Sequence, residues 1–110
     1  MTGGKSPRRR GDYFERQCKA DLERHGWLVI RAGGSLGIAD LIAIKREHAP
    51  LLVSCKLSNR IDPAERNALS ETATRYGATA VVSWRFSNAR VAYRRVHESK
   101  SDDRAAEIRG

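Results

Sequence analysis

No apolar run in this 110-residue chain approaches the roughly 20 residues that a membrane span needs. The N-terminus is basic, but no apolar stretch follows it, so a secretory signal peptide is not expected. There are only two cysteines, Cys18 and Cys55, each in an apolar context. Free thiols in a reducing cytoplasm fit them better than a disulfide, and two Cys with three scattered His are too few for a zinc site. Acidic residues are also short: 13 Asp and Glu stand against 21 Lys and Arg, a formal net charge of +8. Such an excess favours polyanionic partners, nucleic acid first and acidic membrane surfaces second. An apolar fraction of 40% leaves one domain with one modest core and part of the chain outside it. The expected location is the cytoplasm, with no membrane attachment and no small-molecule cofactor.

Residues 1–10, MTGGKSPRRR, read as a flexible basic arm, with Arg8, Arg9 and Arg10 placed to grip phosphates. Residues 11–97 form the folded domain, and residues 98–110, poor in apolar side chains, read as a disordered tail. Within the domain a first helix spans Gly11 to Gly26. Asp12 caps it, and Phe14, Cys18, Leu22 and His25 form one stripe. Glu15 falls at the edge of that stripe, either as a capping glutamate or as a carboxylate aimed beside the sheet.

WLVIRA (27–32) is the first strand, followed by a glycine-rich loop that carries Ser35. That loop lacks the Gly-Lys-Ser/Thr ending of a Walker nucleotide site, and no helix follows it. ADLIAIKR and LLVSCKL are the second and third strands, joined by a turn at Glu47–Pro50. Pairing them as a hairpin brings Asp40 close to Lys56. Alternation puts Ser54 and Lys56 on one face and Cys55 on the other. A carboxylate and an ammonium at the ends of buried strands are costly to desolvate, which points either to a site or to an ion pair at the sheet rim. Asp62-Pro63-Ala64-Glu65 starts a second helix that runs to Tyr76 and stops at Gly77. Its apolar stripe takes in Ala68, Leu69, Thr72 and Tyr76, with Glu65 inside it. Two more strands follow. The fold class is α/β: a mixed five-stranded sheet flanked by two helices, ordered helix, three strands, helix, two strands.

The basic N-terminus, Glu15, the loop with Ser35, Ala39-Asp40 and the strand ending Ser54-Cys55-Lys56 together resemble the PD-(D/E)XK nuclease superfamily. Within it they are similar to the small archaeal-type Holliday junction resolvases, a kind also found in phage-related genomes. The resemblance covers residues 8–97 and implies a restriction-endonuclease-like sheet and a homodimer that cuts four-way junctions by paired symmetric cleavage. It implies Glu15, Ser35, Asp40, position 54 and Lys56 as the active site. It also implies Mg2+, with Mn2+ able to substitute, held by Asp40, Glu15 and the backbone carbonyl of Cys55. Arg31 and Arg60, beside the site, join Arg8–Arg10 as expected DNA contacts. Trp84, Phe86 and Tyr93 are candidates for a dimer surface, or else simply core.

One departure stands out. The motif's acidic residue two before the lysine is Ser54 here, so a metal-binding charge is missing. Either Ser54 serves as a weak neutral ligand, or the carboxylate has moved to the following helix, with Glu65 the first candidate and Glu71 the second, or the domain only binds DNA. Glu65 also has a bland role, as the capping-box residue of its helix. Competing functions are a nuclease of other DNA structures and a binding module without catalysis.

Overall fold

The structure, a computed structural model, describes residues 7–32, 38–87, 90–97, 103–106 and 108, with side chains from Tyr13 onward except those of residues 86 and 87. Its elements are α1 (Pro7–Arg24), β1 (Leu28–Arg31), β2 (Leu41–Ile44), β3 (Leu51–Lys56), α2 (Pro63–Tyr76), β4 (Thr79–Ser87), β5 (Arg90–Arg95) and β6 (Arg104–Ala105). The strands form one sheet in the order β1-β2-β3-β4-β5-β6. Every pair is antiparallel except β3–β4, which run parallel. Parallel neighbours need a long crossover, and α2 supplies it.

This is the mixed α/β arrangement expected from the sequence, with one strand more than five. The extra strand corrects the reading of residues 98–110 as a disordered tail for its described part, residues 103–106 and 108; the others lie outside the described residues. Arg104 and Ala105 pair with Arg95 and Arg94, and Ile108 is buried in the core, where its carbonyl accepts a 2.7 Å hydrogen bond from Trp27 Nε1. The stretch holds two alanines and one isoleucine, too little apolar pattern to announce a strand.

The first helix also departs from expectation. Among the described residues it starts at Pro7 rather than near Asp12, so the backbone of Arg8–Arg10 is helical, while the rest of the expected arm, residues 1–6, lies outside the described residues. Proline suits the first turn of a helix, arginine is a good helix former, and Gly11 in the interior costs only about 1 kcal/mol relative to alanine.

The sheet separates two apolar layers. Leu41, Ala43, Val53 and Val81 face α1 and pack with its Cys18 and Leu22. The alternate residues Leu52 and Val82 face α2 and pack with Leu69 and Ala73. The predicted stripe of α1 holds at Phe14, Cys18 and Leu22, all buried. That of α2 shifts: Arg66, Leu69, Ser70 and Ala73 are buried, while Ala68 and Tyr76 face solvent. The end of α2 is as read, with Gly77 in the left-handed region at φ 71° and its amide turned back to the last turn. No helix among the described residues is long and apolar enough to cross a membrane.

Candidate active site

The β2–β3 ladder sets the geometry. Leu41 pairs with Val53, so Asp40 stands across from Ser54 at the end of the ladder. The Asp40 amide donates to the Val53 carbonyl (2.8 Å), and the Cys55 amide donates to Asp40 Oδ2 (2.7 Å). These two bonds fix the carboxylate at the strand end. The predicted β2–β3 hairpin is therefore present, and its register sets Asp40 across from Ser54.

Alternation along β3 points Ser54 and Lys56 to the α2 side, and α2 answers with Glu65. Its Oε2 lies 2.5 Å from Lys56 Nζ and accepts a longer, 3.4 Å bond from Ser54 Oγ. Asp62 caps the helix through a bond from the Ala64 amide, and Pro63 occupies the first turn. Glu65 does not turn back to complete a capping box: among the described residues its side chain bonds only Ser54 and Lys56. The carboxylate expected at position 54 is thus matched in space by one from α2. Glu71 is exposed on the same helix and makes no bond to Ser54 or Lys56 among the described residues.

Glu15 is placed differently. Its Oε1 meets Arg31 at 3.3 Å. Arg31 pairs with Leu41, one residue from Asp40, and two residues on from buried Val29 it shares that residue's face, toward the α1 side. Glu15 and Arg31 therefore sit beside the Asp40 strand end, across the sheet from Ser54, Lys56 and Glu65. Ser35 lies outside the described residues, as do the side chains of Arg8, Arg9, Arg10 and Phe86. Arg60 is exposed in the loop after β3.

The Cys55 side chain packs into the α1 layer. Its thiol is pushed far above the ordinary range by a hydrogen bond with Cys18 and by burial, so it stays neutral. Only its backbone carbonyl is left to serve as a ligand. Tyr93, offered as a dimer residue, instead packs against that layer and donates to Asp21 Oδ2 at 2.8 Å. Burial first, and then the neighbouring Cys18 and Asp21, raise its phenol. Trp84 is partly buried against the α2 layer beneath the Arg94 guanidinium.

Among the described residues no three His, Cys, Asp or Glu side chains gather into a ready metal cage. The donors that are present still fit a hard divalent cation. Asp40 and Glu65 offer carboxylates and Cys55 a carbonyl, and Mg2+ is ordinarily held by one or two carboxylates together with waters and substrate phosphates.

Two residues around the site escaped the sequence reading. Arg66 is buried (6% exposed), and it meets the largely covered side chain of the half-buried Asp103 in a two-pronged ion pair. The signal was present in part. An arginine three and seven residues before Leu69 and Ala73 sits on the buried face of α2, and a charge there demands a partner.

A mixed sheet with β3 and β4 parallel, a helix on each face and Asp40, Lys56 and a helix carboxylate at one end defines a restriction-endonuclease-like domain. The profile of the archaeal Holliday junction resolvase (hjc) family matches residues 6–108, and the chain belongs to that family. It is 46% identical over 52 residues to the crossover junction endodeoxyribonuclease Hjc of Methanocaldococcus jannaschii, a match covering 47% of this chain and 38% of that relative. The chain thus aligns with well under half of that relative's length. Its fold is similar to that of Archaeoglobus fulgidus Hjc, a Holliday junction resolvase from an archaeal hyperthermophile. The TM-score is 0.65 at 24% identity, over 76% of this chain and 70% of the other.

Proposed function

We propose that this chain is a metal-dependent endodeoxyribonuclease that resolves four-way DNA junctions by paired, symmetric cleavage, acting as a homodimer in the cytoplasm. The observation that carries this reading is the convergence of Glu65 on Ser54 and Lys56, beside Asp40 across the β2–β3 ladder. Family membership and the names of the relatives point to the same substrate. One domain carries one such site, so cutting two strands in concert calls for two copies related by a two-fold axis.

Asp40, Glu65 and the Cys55 carbonyl would hold Mg2+, or Mn2+ in its place. Glu15 stands as an outer ligand at the α1 edge, and Ser35 as a phosphate contact. When bound, the cation supplies charge neutralisation at a non-bridging phosphate oxygen and a more acidic water. Lys56 Nζ donates to the attacking water or to the phosphate oxygen on which charge grows. Glu65 Oε2 holds that ammonium in place, and Ser54 Oγ steadies the carboxylate. Asp40 needs no reorganisation, because the Cys55 amide already fixes its orientation. Arg8, Arg9, Arg10, Arg31 and Arg60 grip phosphates, contacts that carry no sequence information and suit recognition by junction shape.

The test is incubation with a synthetic four-way junction, a duplex and a flap, each with Mg2+ and with EDTA. Symmetric paired nicks on the junction alone, abolished by EDTA, are expected. Equal cutting of all three substrates, or none, contradicts the proposal.

A further inference from the structure

We propose that Asp103, from the C-terminal segment, is a positioning residue for the active-site carboxylate Glu65. The inference rests on the assignment of Glu65 made under Proposed function and extends it to the segment that holds it.

Arg66 directly follows Glu65, so their side chains diverge by about 100° around α2. Glu65 turns toward β3, and Arg66 turns into the seam between α2, the end of β5 and the C-terminal segment. A buried guanidinium is costly unless it is paired. Asp103 meets that need: its Oδ1 lies 2.6 Å from one Arg66 nitrogen and its Oδ2 2.9 Å from the other. The two parallel bonds fix orientation as well as distance. Arg66 also donates to the His97 carbonyl at 3.1 Å, and the His97 amide donates to Asp103 Oδ1 at 3.3 Å. Arg94 Nε lies 3.1 Å from Asp103 Oδ2, close enough to attract it electrostatically but without hydrogen-bond geometry.

The apolar grip on α2 is thin. Leu69 and Ala73 are its only buried apolar residues, and both lie beyond the first turn. At the first turn itself, the Arg66–Asp103 pair ties the helix to the C-terminal segment and limits how far it rotates against the sheet. That rotation decides whether Glu65 Oε2 reaches Lys56 and Ser54. The segment after β5 thereby sets a carboxylate that lies 38 positions earlier in the sequence.

A double-mutant cycle on the full chain tests this, with Asp103→Asn, Glu65→Gln and the pair. Single-turnover cleavage of a synthetic four-way junction is read alongside Mn2+ affinity by calorimetry without DNA. Asp103→Asn is expected to slow cleavage about tenfold or more and to weaken Mn2+ binding, with junction affinity unchanged, since misplacements near 1 Å are that costly. On the Glu65→Gln background it should add nothing to either loss, because the two residues act as one unit. Independent, multiplying losses would show a general structural role and overturn the proposal. So would unchanged cleavage and Mn2+ affinity in Asp103→Asn when Glu65→Gln is impaired. Wild-type cleavage by Glu65→Gln would instead overturn the parent reading of the site. If Asp103→Asn melts below the assay temperature, Asp103→Glu takes its place, keeping the charge but displacing it by one methylene. It should show a partial loss of both readouts, and wild-type values for both contradict the proposal.

Discussion

Glu65 Oε2 lies 2.5 Å from Lys56 Nζ and 3.4 Å from Ser54 Oγ, so a helix carboxylate stands where the strand lacks one. Both partners of the ion pair are partly exposed, at 26% and 36% of their side-chain surface. Pairs of that exposure contribute about 0–1 kcal/mol, too little for stability to explain the arrangement. On the proposed function, its value lies in placing a carboxylate and an ammonium together beside Asp40.

Asp40→Asn and Lys56→Ala are expected to reduce Mg2+-dependent cleavage by at least about 100-fold, the scale of losing one preorganised electrostatic contact. Junction binding, held mainly by phosphate contacts, should persist. Cleavage time courses with gel-shift titrations on the same junction check both halves.

Replacing Arg8, Arg9 and Arg10 by Ala should weaken junction, duplex and flap binding alike. Each phosphate contact removed lowers the slope of log K against log salt by about 0.9. Binding titrations across a salt series measure the change, and a slope that stays put would remove this segment from the interface.

Acid should loosen the C-terminal clamp. Burial alone would raise the Asp103 carboxyl, but hydrogen bonds from Arg66 and the His97 amide, with the charges of Arg66 and Arg94, outweigh it and hold it below its ordinary 3.8. A depressed folded value means stability that is fully present above the unfolded value and lost as pH falls below 3.8 through the folded value. Urea unfolding should therefore show wild type more stable than Asp103→Asn at neutral pH, with the gap closing in that acid window.

The sequence carried the strands of the candidate site well because their signals are short-range and periodic. The β2–β3 hairpin, with Asp40 opposite Ser54, follows from two apolar runs and a turn, and the ends of α2 follow from Asp62, Pro63 and Gly77. Even the candidate replacement for the missing acid could be named, since Glu65 sits one turn before Leu69 on the sheet-facing side. What stayed hidden was long-range. Nothing local says that Asp103 reaches Arg66 or that the Ile108 carbonyl meets Trp27. A segment with few apolar residues looks like a tail until its buried charge is seen to have a partner. The stripe of α2 shifted for the same reason: Arg66 is buried because of Asp103, not because of its own chemistry.

The proposed chemistry turns on Glu65 supplying the carboxylate that Ser54 does not. Single-turnover cleavage of a four-way junction by Glu65→Gln and by Ser54→Glu/Glu65→Gln tests it most directly. Glu65→Gln is expected to lose at least about 100-fold, the scale of a lost electrostatic contact, and the double variant to recover part of that loss by returning the acid to the strand. Cleavage by Glu65→Gln at the wild-type rate, with unchanged Mg2+ dependence, would contradict it.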